Sequence, residues 1–119
     1  MAKTNVLSAG THKGIEWWTI ANMLGFRCGY VLVPAGHPWH GRSYSEIGAD
    51  VHGGLTYSVA EGADWAIGFD CAHAYDAPDP ALGKTSWWKD FSDGKAVIRD
   101  QAYVDAECIR LAEQVAEYV

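Results

Sequence analysis

The end of the chain carries the clearest periodic pattern. Its apolar residues alternate between spacings of four and three, at Val104, Cys108, Leu111, Val115 and Tyr118. Such spacing places the side chains on one face of an α-helix, as in an amphipathic helix that packs against a sheet. Asp100 precedes the stripe and is a residue type that caps helix N-termini. We therefore predict a helix from Asp100 to the end of the chain.

Shorter apolar and alternating runs earlier in the chain predict β-strands. They are rich in the β-branched and aromatic residues that strands favour, and they cover residues 15–20, 28–33, 51–59 and 65–73. The run 28–33 is almost continuously apolar, so we place it centrally in the sheet. Residues 61–64 are the predicted turn between the last two strands, which makes these strands antiparallel neighbours.

Glycines and prolines mark the segments without regular structure. Residues 34–44 and 75–80 contain prolines, which remove backbone donors and restrict the preceding residue, so both are predicted loops. Residues 1–14 are polar without a sustained period and predict a flexible N-terminal arm. A chain of 119 residues has the usual size of one domain. We expect a single α+β domain over residues 15–119, with a small, mainly antiparallel sheet and a packed C-terminal amphipathic helix.

The composition argues against several classes of function. A net charge of −6 disfavours non-specific binding to nucleic acids or anionic membranes, because both need a basic surface. The N-terminal residues contain no long apolar run, so we expect neither a secretion signal nor a spanning helix, and a cytoplasmic location. Three cysteines without C-x-x-C spacing are expected to be free thiols.

Aromatic side chains stand out in this composition. Six Trp, six Tyr and three Phe supply large apolar areas, and the Trp and Tyr also carry polar groups that need partners when buried. Trp17 and Trp18 are adjacent in a predicted strand, so their side chains must point to opposite faces of the sheet. Some of the aromatic side chains are expected to line a binding site or an interface.

Two segments, VHGGLTYS at 51–58 and GFDCAH at 68–73, concentrate the residue types that carry chemistry. On a strand, Cys71 and His73 project to the same face with Cα atoms about 6.6 Å apart, whereas Asp70 points to the opposite face. A thiolate and an imidazole placed in this way can share a zinc ion. The coordination would be completed by one of three histidines, His37, His40 or His52.

Three interpretations of these segments stay open. In a zinc-dependent hydrolase, His52, Cys71 and His73 would bind the metal and Asp70 would activate a bound water. In a cysteine enzyme, Cys71 would be a nucleophile activated by a neighbouring histidine, with Gly53-Gly54 as the oxyanion hole. In the third interpretation, Cys71 is a small core residue and the glycine pair marks a β-bulge or a left-handed backbone position. No known signature of a catalytic cysteine and no dinucleotide-binding glycine motif is present.

Four segments carry a resemblance to a known family. They are GFRCGYV at 25–31, PAGHP at 34–38, VHGGLTYS at 51–58 and WAIGFDCAH at 65–73, and the similarity continues into residues 103–114. In these segments the chain resembles a family of small uncharacterised proteins encoded by bacteriophages and prophages. The resemblance implies no catalytic role for any residue. It implies a setting, in which an accessory protein sequesters a small signalling nucleotide or blocks a host protein.

We therefore expect a binding module that takes up a small ligand or nucleotide, or that blocks a host defence protein, in the cytoplasm of a bacterial host. Its expected partners are a small molecule or a host protein, without direct binding to nucleic acid or membrane. The oligomeric state stays open, and zinc is the cofactor of the hydrolase alternative alone. The candidate binding residues are His37, His40, Tyr44, His52, Gly53, Gly54, Asp70, Cys71 and His73.

Overall fold

The computed structural model describes residues 5–118. Its elements are β1 (Ser8–His12), β2 (Ile15–Ala21), β3 (Arg27–Val33), a 3-10 helix (Tyr44–Glu46), β4 (Tyr57–Glu61), β5 (Asp64–Asp70), β6 (Asp76–Ala77), β7 (Val97–Ile98) and α1 (Gln101–Glu117). The first five strands form one antiparallel sheet of order β1-β2-β3-β5-β4, and β6 pairs in parallel with β7. Helix α1 packs on β1, β2 and β3. The predicted α+β fold is confirmed.

The first strand lies where the sequence predicts a flexible arm. β1 pairs with β2 along its whole length, and Lys13 and Gly14 connect the two strands. Both connecting residues have positive φ, 51° and 81°, as a type I′ hairpin turn requires. The prediction of a loose arm is therefore wrong for residues 8–12, because this hairpin adds them to the sheet. Residues 1–4 of the predicted arm lie outside the described part of the chain.

Two predicted strands are shorter in the structure. β4 begins at Tyr57, because residues 51–54 form a turn closed by a backbone hydrogen bond of 2.8 Å. β5 ends at Asp70, before the predicted end at His73, and the chain turns away there. β3 is the middle strand of the sheet and is buried along its whole length, as predicted.

The side of the sheet that faces α1 forms the main core. It packs against the apolar stripe predicted for the helix, and its members include Val31, Val33, Ile67, Val104, Leu111 and Val115. Gly29 belongs to this layer, and a Cβ at its position would come within 2.5 Å of Phe69 and of Cys108. The missing side chain at Gly29 therefore lets the helix approach the sheet closely.

The opposite side of the sheet carries a row of aromatic side chains. Trp18, Tyr30, Gly68 and Tyr57 lie in register across four strands. The rings of Trp18 and Tyr30 stack with centroids 5.5 Å apart, and the rings of Tyr30 and Tyr57 meet edge to face at 5.3 Å. The Tyr30 ring lies over Gly68, the residue between Tyr30 and Tyr57 in this row. Trp17 packs in the helix-side core, which confirms that the two adjacent tryptophans point to opposite faces.

Side chains satisfy backbone groups at both ends of α1. Asp100 is the N-cap, as predicted, and its carboxylate accepts a hydrogen bond of 2.9 Å from the backbone N–H of Tyr103. Near the other end, His37 Nε2 donates to the carbonyl of Val115 at 2.7 Å. Within residues 5–118, the structure contains no helix that is both long enough and apolar enough to cross a membrane.

We expect Gly29→Ala to lower the free energy of unfolding by about 1–3 kcal/mol, the usual cost of overpacking a core. The added methyl group would meet Phe69 and Cys108 at 2.5 Å, and both of these side chains are buried in the core. Urea unfolding followed by tryptophan fluorescence measures the change.

Gly48→Ala is the matched control, because a Cβ at Gly48 would meet nothing within 4 Å. Its free energy of unfolding should stay within about 0.5 kcal/mol of the wild-type value. Equal stability of the two alanine variants would contradict the close approach of helix and sheet at Gly29.

Candidate functional site

The candidate site lies where β5 stops at Asp70. Residues 71–76 turn from β5 into the short strand β6. Hydrogen bonds connect this turn with the 51–54 turn and with Arg99, which follows β7. The first turn of α1 completes the surroundings through Tyr103. The site therefore combines residues that are far apart in the chain.

Asp76 is a buried carboxylate surrounded by hydrogen-bond donors. Its side chain is 2% exposed. Arg99 Nε donates to Oδ1 at 2.8 Å, while His52 Nε2 and the backbone N–H of His73 donate to Oδ2 at 2.9 and 3.0 Å. Burial alone would raise the pKa of Asp76, but the hydrogen bonds from Arg99 and His52 outweigh it and hold the pKa below its ordinary value. The carboxylate is therefore ionised at neutral pH.

His52 connects this buried carboxylate to the protein surface. Because an ionised carboxylate only accepts hydrogen bonds, we assign a proton to His52 Nε2; in the tautomer that carries its only proton there, Nδ1 is an acceptor. Nδ1 lies 2.8 Å from the hydroxyl of Tyr103, which therefore donates to it. The guanidinium of Arg99 lies 5.4 Å from the centroid of the Tyr103 ring. A continuous series of hydrogen bonds therefore runs from the phenol of Tyr103 through His52 to Asp76. Tyr103 is 37% exposed, so the series begins at the protein surface.

His73 packs at the edge of the same network. Its ring centroid lies 5.9 Å from that of His52, and its ring rests against Gly53, where any Cβ would collide with it. His73 Nε2 is 3.3 Å from Asp70 Oδ1, but the two groups lack the alignment of a hydrogen bond. The other oxygen of Asp70 accepts from the hydroxyl of Thr56 at 2.9 Å. Packing rather than hydrogen bonding therefore fixes the His73 ring.

Cys71 lies in the core, outside this network. It is 2% exposed and packs in the helix-side core. Burial raises the pKa of its thiol to about 12, so the nucleophilic thiolate is absent at neutral pH. The prediction that Cys71 and His73 share a strand face is wrong, because β5 ends at Asp70 and the alternation of side chains ends with it. The interpretation of Cys71 as a core residue is the correct one.

The zinc site predicted from His52, Cys71 and His73 is not assembled. Both ring nitrogens of His52 already have hydrogen-bond partners within the protein. Among residues 5–118, no group of three or more His, Cys, Asp or Glu side chains is arranged to hold a metal ion. The geometry therefore gives no support to the zinc-dependent hydrolase.

The remaining predicted residues lie in other places. His37 binds the C-terminal part of α1, and His40 Nε2 donates to the carbonyl of Ala63 at 3.0 Å. Tyr44 is exposed at the start of the 3-10 helix. The loop that carries these residues borders a separate groove of about 520 Å³ at the end of α1. The candidates that the structure brings together are His52, Gly53, Gly54, Asp70 and His73.

Sequence reasoning missed three members of the network, Asp76, Arg99 and Tyr103. Asp76 and Tyr103 stand 24 and 51 residues away from His52, so no periodic pattern relates them. One signal in the sequence could have indicated Arg99. Arg99 directly precedes the helix cap Asp100, and a cation at that end of a helix is unfavourable unless another group pairs with it.

A cleft of about 370 Å³ opens beside Asp76. Residues 72–76 form one wall, and residues 88–92 with Ala96 form the other. Trp88, Lys89 and Phe91 are the large side chains of the second wall. The cleft lining therefore contains Asp76 from the charged network, together with aromatic side chains, Lys89 and Asp90.

Tyr75 stands in the first wall of the cleft in a conformation that is uncommon for an aromatic residue. Its φ is 78°, in the left-handed region. Its carbonyl accepts a hydrogen bond of 2.7 Å from the backbone N–H of Val97, which holds the turn against β7. Tyr75 is 56% exposed. The backbone strain thus places an aromatic side chain at the mouth of the cleft.

Comparison with known proteins identified no relative of this chain. No family model, no curated protein and no solved structure matches the chain. The network around Asp76 and the cleft beside it are the features that a functional proposal has to explain.

We expect none of the three thiols to react rapidly with an aromatic disulfide reagent while the protein is folded. All three cysteines are buried, and burial raises the pKa of Cys28 to about 11 and that of Cys71 to about 12. The absorbance of the released aromatic thiolate, recorded at mildly alkaline pH with and without guanidinium, measures the reaction. All three thiols should react on unfolding, and one fast thiol in the folded protein would contradict the assignment of Cys71 to the core.

We expect Asp76→Asn to lower the free energy of unfolding at neutral pH by about 3–5 kcal/mol, as when a buried ion pair loses one partner. The pKa of Asp76 lies below 3.8 in the folded protein, so its contribution is present above that value. This contribution is lost as the pH falls through the pKa of the folded state. Urea unfolding at a series of acidic pH values should therefore show a shallower decline for the variant than for the wild type.

Asp50→Asn is the control for this experiment. The side chain of Asp50 is 87% exposed and, within the described part of the chain, pairs with Arg110 at the surface. Its loss should change the free energy of unfolding by less than about 1 kcal/mol. A pH profile for Asp76→Asn that parallels the wild type would show that Asp76 is not the acid-sensitive group.

Proposed function

We propose that the protein is a binding module that sequesters a small ligand in the cleft beside Asp76. The observation that carries the proposal is the exposure of large aromatic side chains around a concave surface. Phe91 is 85% exposed and Tyr75 is 56% exposed, and both line the cleft. Grouped exposed aromatic side chains are typical of surfaces that contact a ligand or partner.

The aromatic side chains of the cleft favour a flat ligand, and Lys89 can pair with a negative charge on that ligand. Tyr75, Trp88 and Phe91 offer ring faces on which a planar group can stack. The ammonium of Lys89 lies 5.6 Å from the centroid of the Phe91 ring, which places a positive charge beside this stacking surface. The nearby carboxylate of Asp90 already accepts hydrogen bonds from Ser92. A nucleotide combines a planar base with phosphate, and it is the ligand class that we propose.

Internal hydrogen bonds hold the wall of the cleft next to Asp76 in place. His52 and Arg99 fix the carboxylate of Asp76, and the bond from Val97 fixes the carbonyl of Tyr75. A wall that is already ordered loses little conformational entropy on binding. The ordered wall therefore favours a cleft that is already formed when the ligand arrives, rather than one that the ligand shapes on binding.

The resemblance to phage-encoded accessory proteins supplies the setting of the proposal. Such a protein would act in the cytoplasm of a bacterial host by withholding a small signalling nucleotide. Sequestration requires only that the ligand binds, and it needs neither a nucleophilic thiol nor a metal. The burial of Cys71 and the separation of the predicted zinc ligands within the described residues are compatible with such a function. Direct blocking of a host defence protein is the other function that the resemblance implies, and the experiment below distinguishes the two.

We expect the untagged wild-type protein, incubated with a nucleotide extract of bacterial cells, to retain a small molecule in native mass spectrometry. Phe91→Ala should weaken retention of that molecule about tenfold, since one stacking contact with a base is lost. Ile109→Ala is the matched control, because it removes an apolar side chain of 37% exposure from α1, away from the cleft lining. Titration of each variant with the retained molecule gives the dissociation constants.

Three results would overturn the proposal. A wild-type protein that stays free of small molecules at every extract concentration has no ligand of the proposed class. Equal retention by Phe91→Ala and Ile109→Ala would place the ligand outside the cleft. Association with a host protein that survives Phe91→Ala would support the blocking function in place of sequestration.

A further inference from the structure

The network beside the cleft contains a hydroxyl, a base and a buried acid in series. The Tyr103 hydroxyl lies 2.8 Å from His52 Nδ1, and His52 Nε2 lies 2.9 Å from Asp76 Oδ2. In enzymes with an activated hydroxyl nucleophile, a carboxylate orients an imidazole and the imidazole takes the proton of the hydroxyl. Here the phenol of Tyr103 occupies the position of that nucleophile.

We propose that Tyr103 is the nucleophile of a phosphodiester-cleaving site. The inference rests on the proposed function, because the cleft would hold the nucleotide. Asp76 lines the cleft, whereas His52, Tyr103 and Arg99 lie outside its lining and are connected to it through Asp76. The phosphate of the bound nucleotide would therefore extend past Asp76 toward Tyr103. The inference also goes beyond the proposed function, because sequestration needs no nucleophile. The cleft and the network together would bind a nucleotide and cleave its ester bond.

Arg99 is the reason for choosing a phosphodiester over other esters. Its Nε donates to Asp76, and within the described residues its two terminal nitrogens have no protein partner. The side chain is 25% exposed, and the guanidinium lies 5.4 Å from the centroid of the Tyr103 ring. A guanidinium with free terminal N–H groups binds phosphate oxygens in pairs. Arg99 would hold the phosphate beside the hydroxyl that attacks it.

The surroundings of Tyr103 explain why the hydroxyl would need a base. Burial raises the pKa of Tyr103 above its ordinary value, and the nearby Glu107 adds to this effect. The phenol is therefore protonated at neutral pH, and its proton has to leave during the attack on phosphorus. His52 Nδ1 is placed to receive that proton, and Asp76 stabilises the imidazolium that results.

The reaction requires water as its only co-reactant. In the first step, the Tyr103 oxygen forms a bond to phosphorus and the ester P–O bond breaks, while the phenol proton passes through His52 to the leaving alkoxide. In the second step, water attacks the phosphorus of the phosphotyrosyl intermediate. His52 takes a proton from this water and returns one to the Tyr103 oxygen as the P–O bond to tyrosine breaks. The products are an alcohol and a phosphate monoester, with no change of oxidation state.

Bis(4-nitrophenyl) phosphate is a suitable probe, because its cleavage releases coloured 4-nitrophenolate. We expect the wild-type protein to release 4-nitrophenolate in the presence of EDTA, and Tyr103→Phe to reduce the rate at least ~100-fold. Tyr118→Phe is the matched control, since Tyr118 stacks on Trp39 at the other end of α1 and should leave the rate unchanged. Thermal unfolding of both variants shows whether the fold is kept.

A second measurement does not depend on any variant. Wild-type protein quenched with acid during turnover should carry one 4-nitrophenyl phosphoryl group, and peptide mapping should place it on Tyr103. Absence of turnover by the wild type, or full activity of Tyr103→Phe, would overturn the inference. Nucleotide retention without turnover would leave the proposed function intact, whereas loss of both would remove the proposed function as well.

Discussion

A carboxylate buried in a protein is stable only if neighbouring groups replace the water that it has lost. Asp76 meets this condition with donors from three separate parts of the chain: His52 in the 51–54 turn, the backbone of His73, and Arg99 before α1. One charge thereby fixes the relative positions of two turns, a two-residue parallel pair and the start of the helix. The inner wall of the cleft takes its position from the same interaction.

Much of the fold could be predicted from the sequence, because its largest elements bury one regular face. The stripe of α1 and its cap Asp100 followed directly from spacing and residue type. β1 escaped prediction because the contacts of its inward side chains are polar. Ser8 accepts a hydrogen bond of 2.9 Å from Gln101, and His12 pairs with Glu113 at 2.6 Å. Hydrophobic alternation cannot reveal a strand that is attached to a helix by such bonds.

The candidate site could be predicted only in its local part. His52, Gly53 and Gly54 can be singled out as site residues, because unusual residue types are adjacent there. Their segment is nevertheless predicted as a strand, and the structure forms a turn. Cys71 was assigned to the site because strand alternation was extended past the true end of β5, and no local pattern marks that end. Asp76 and Tyr103 were missed because their roles come from partners that only the folded chain brings near. Membership of the hydrogen-bond network depends on the tertiary structure, whereas hydrophobic periodicity is a property of the local sequence.

The aromatic row on the open side of the sheet restricts how this protein can change over evolutionary time. A side chain at Gly68 would occupy the space of the Tyr30 ring and would also come within 2.7 Å of the carbonyl oxygen of Gly29. A larger residue at position 68 therefore requires both a smaller residue at position 30 and a shift of the β3 backbone. Tyr57 would then lose its edge contact with that ring. The three positions are therefore coupled through shape, and diverging lineages should exchange them as a set. Covariation within this set would record the packing of the sheet independently of any function at the cleft.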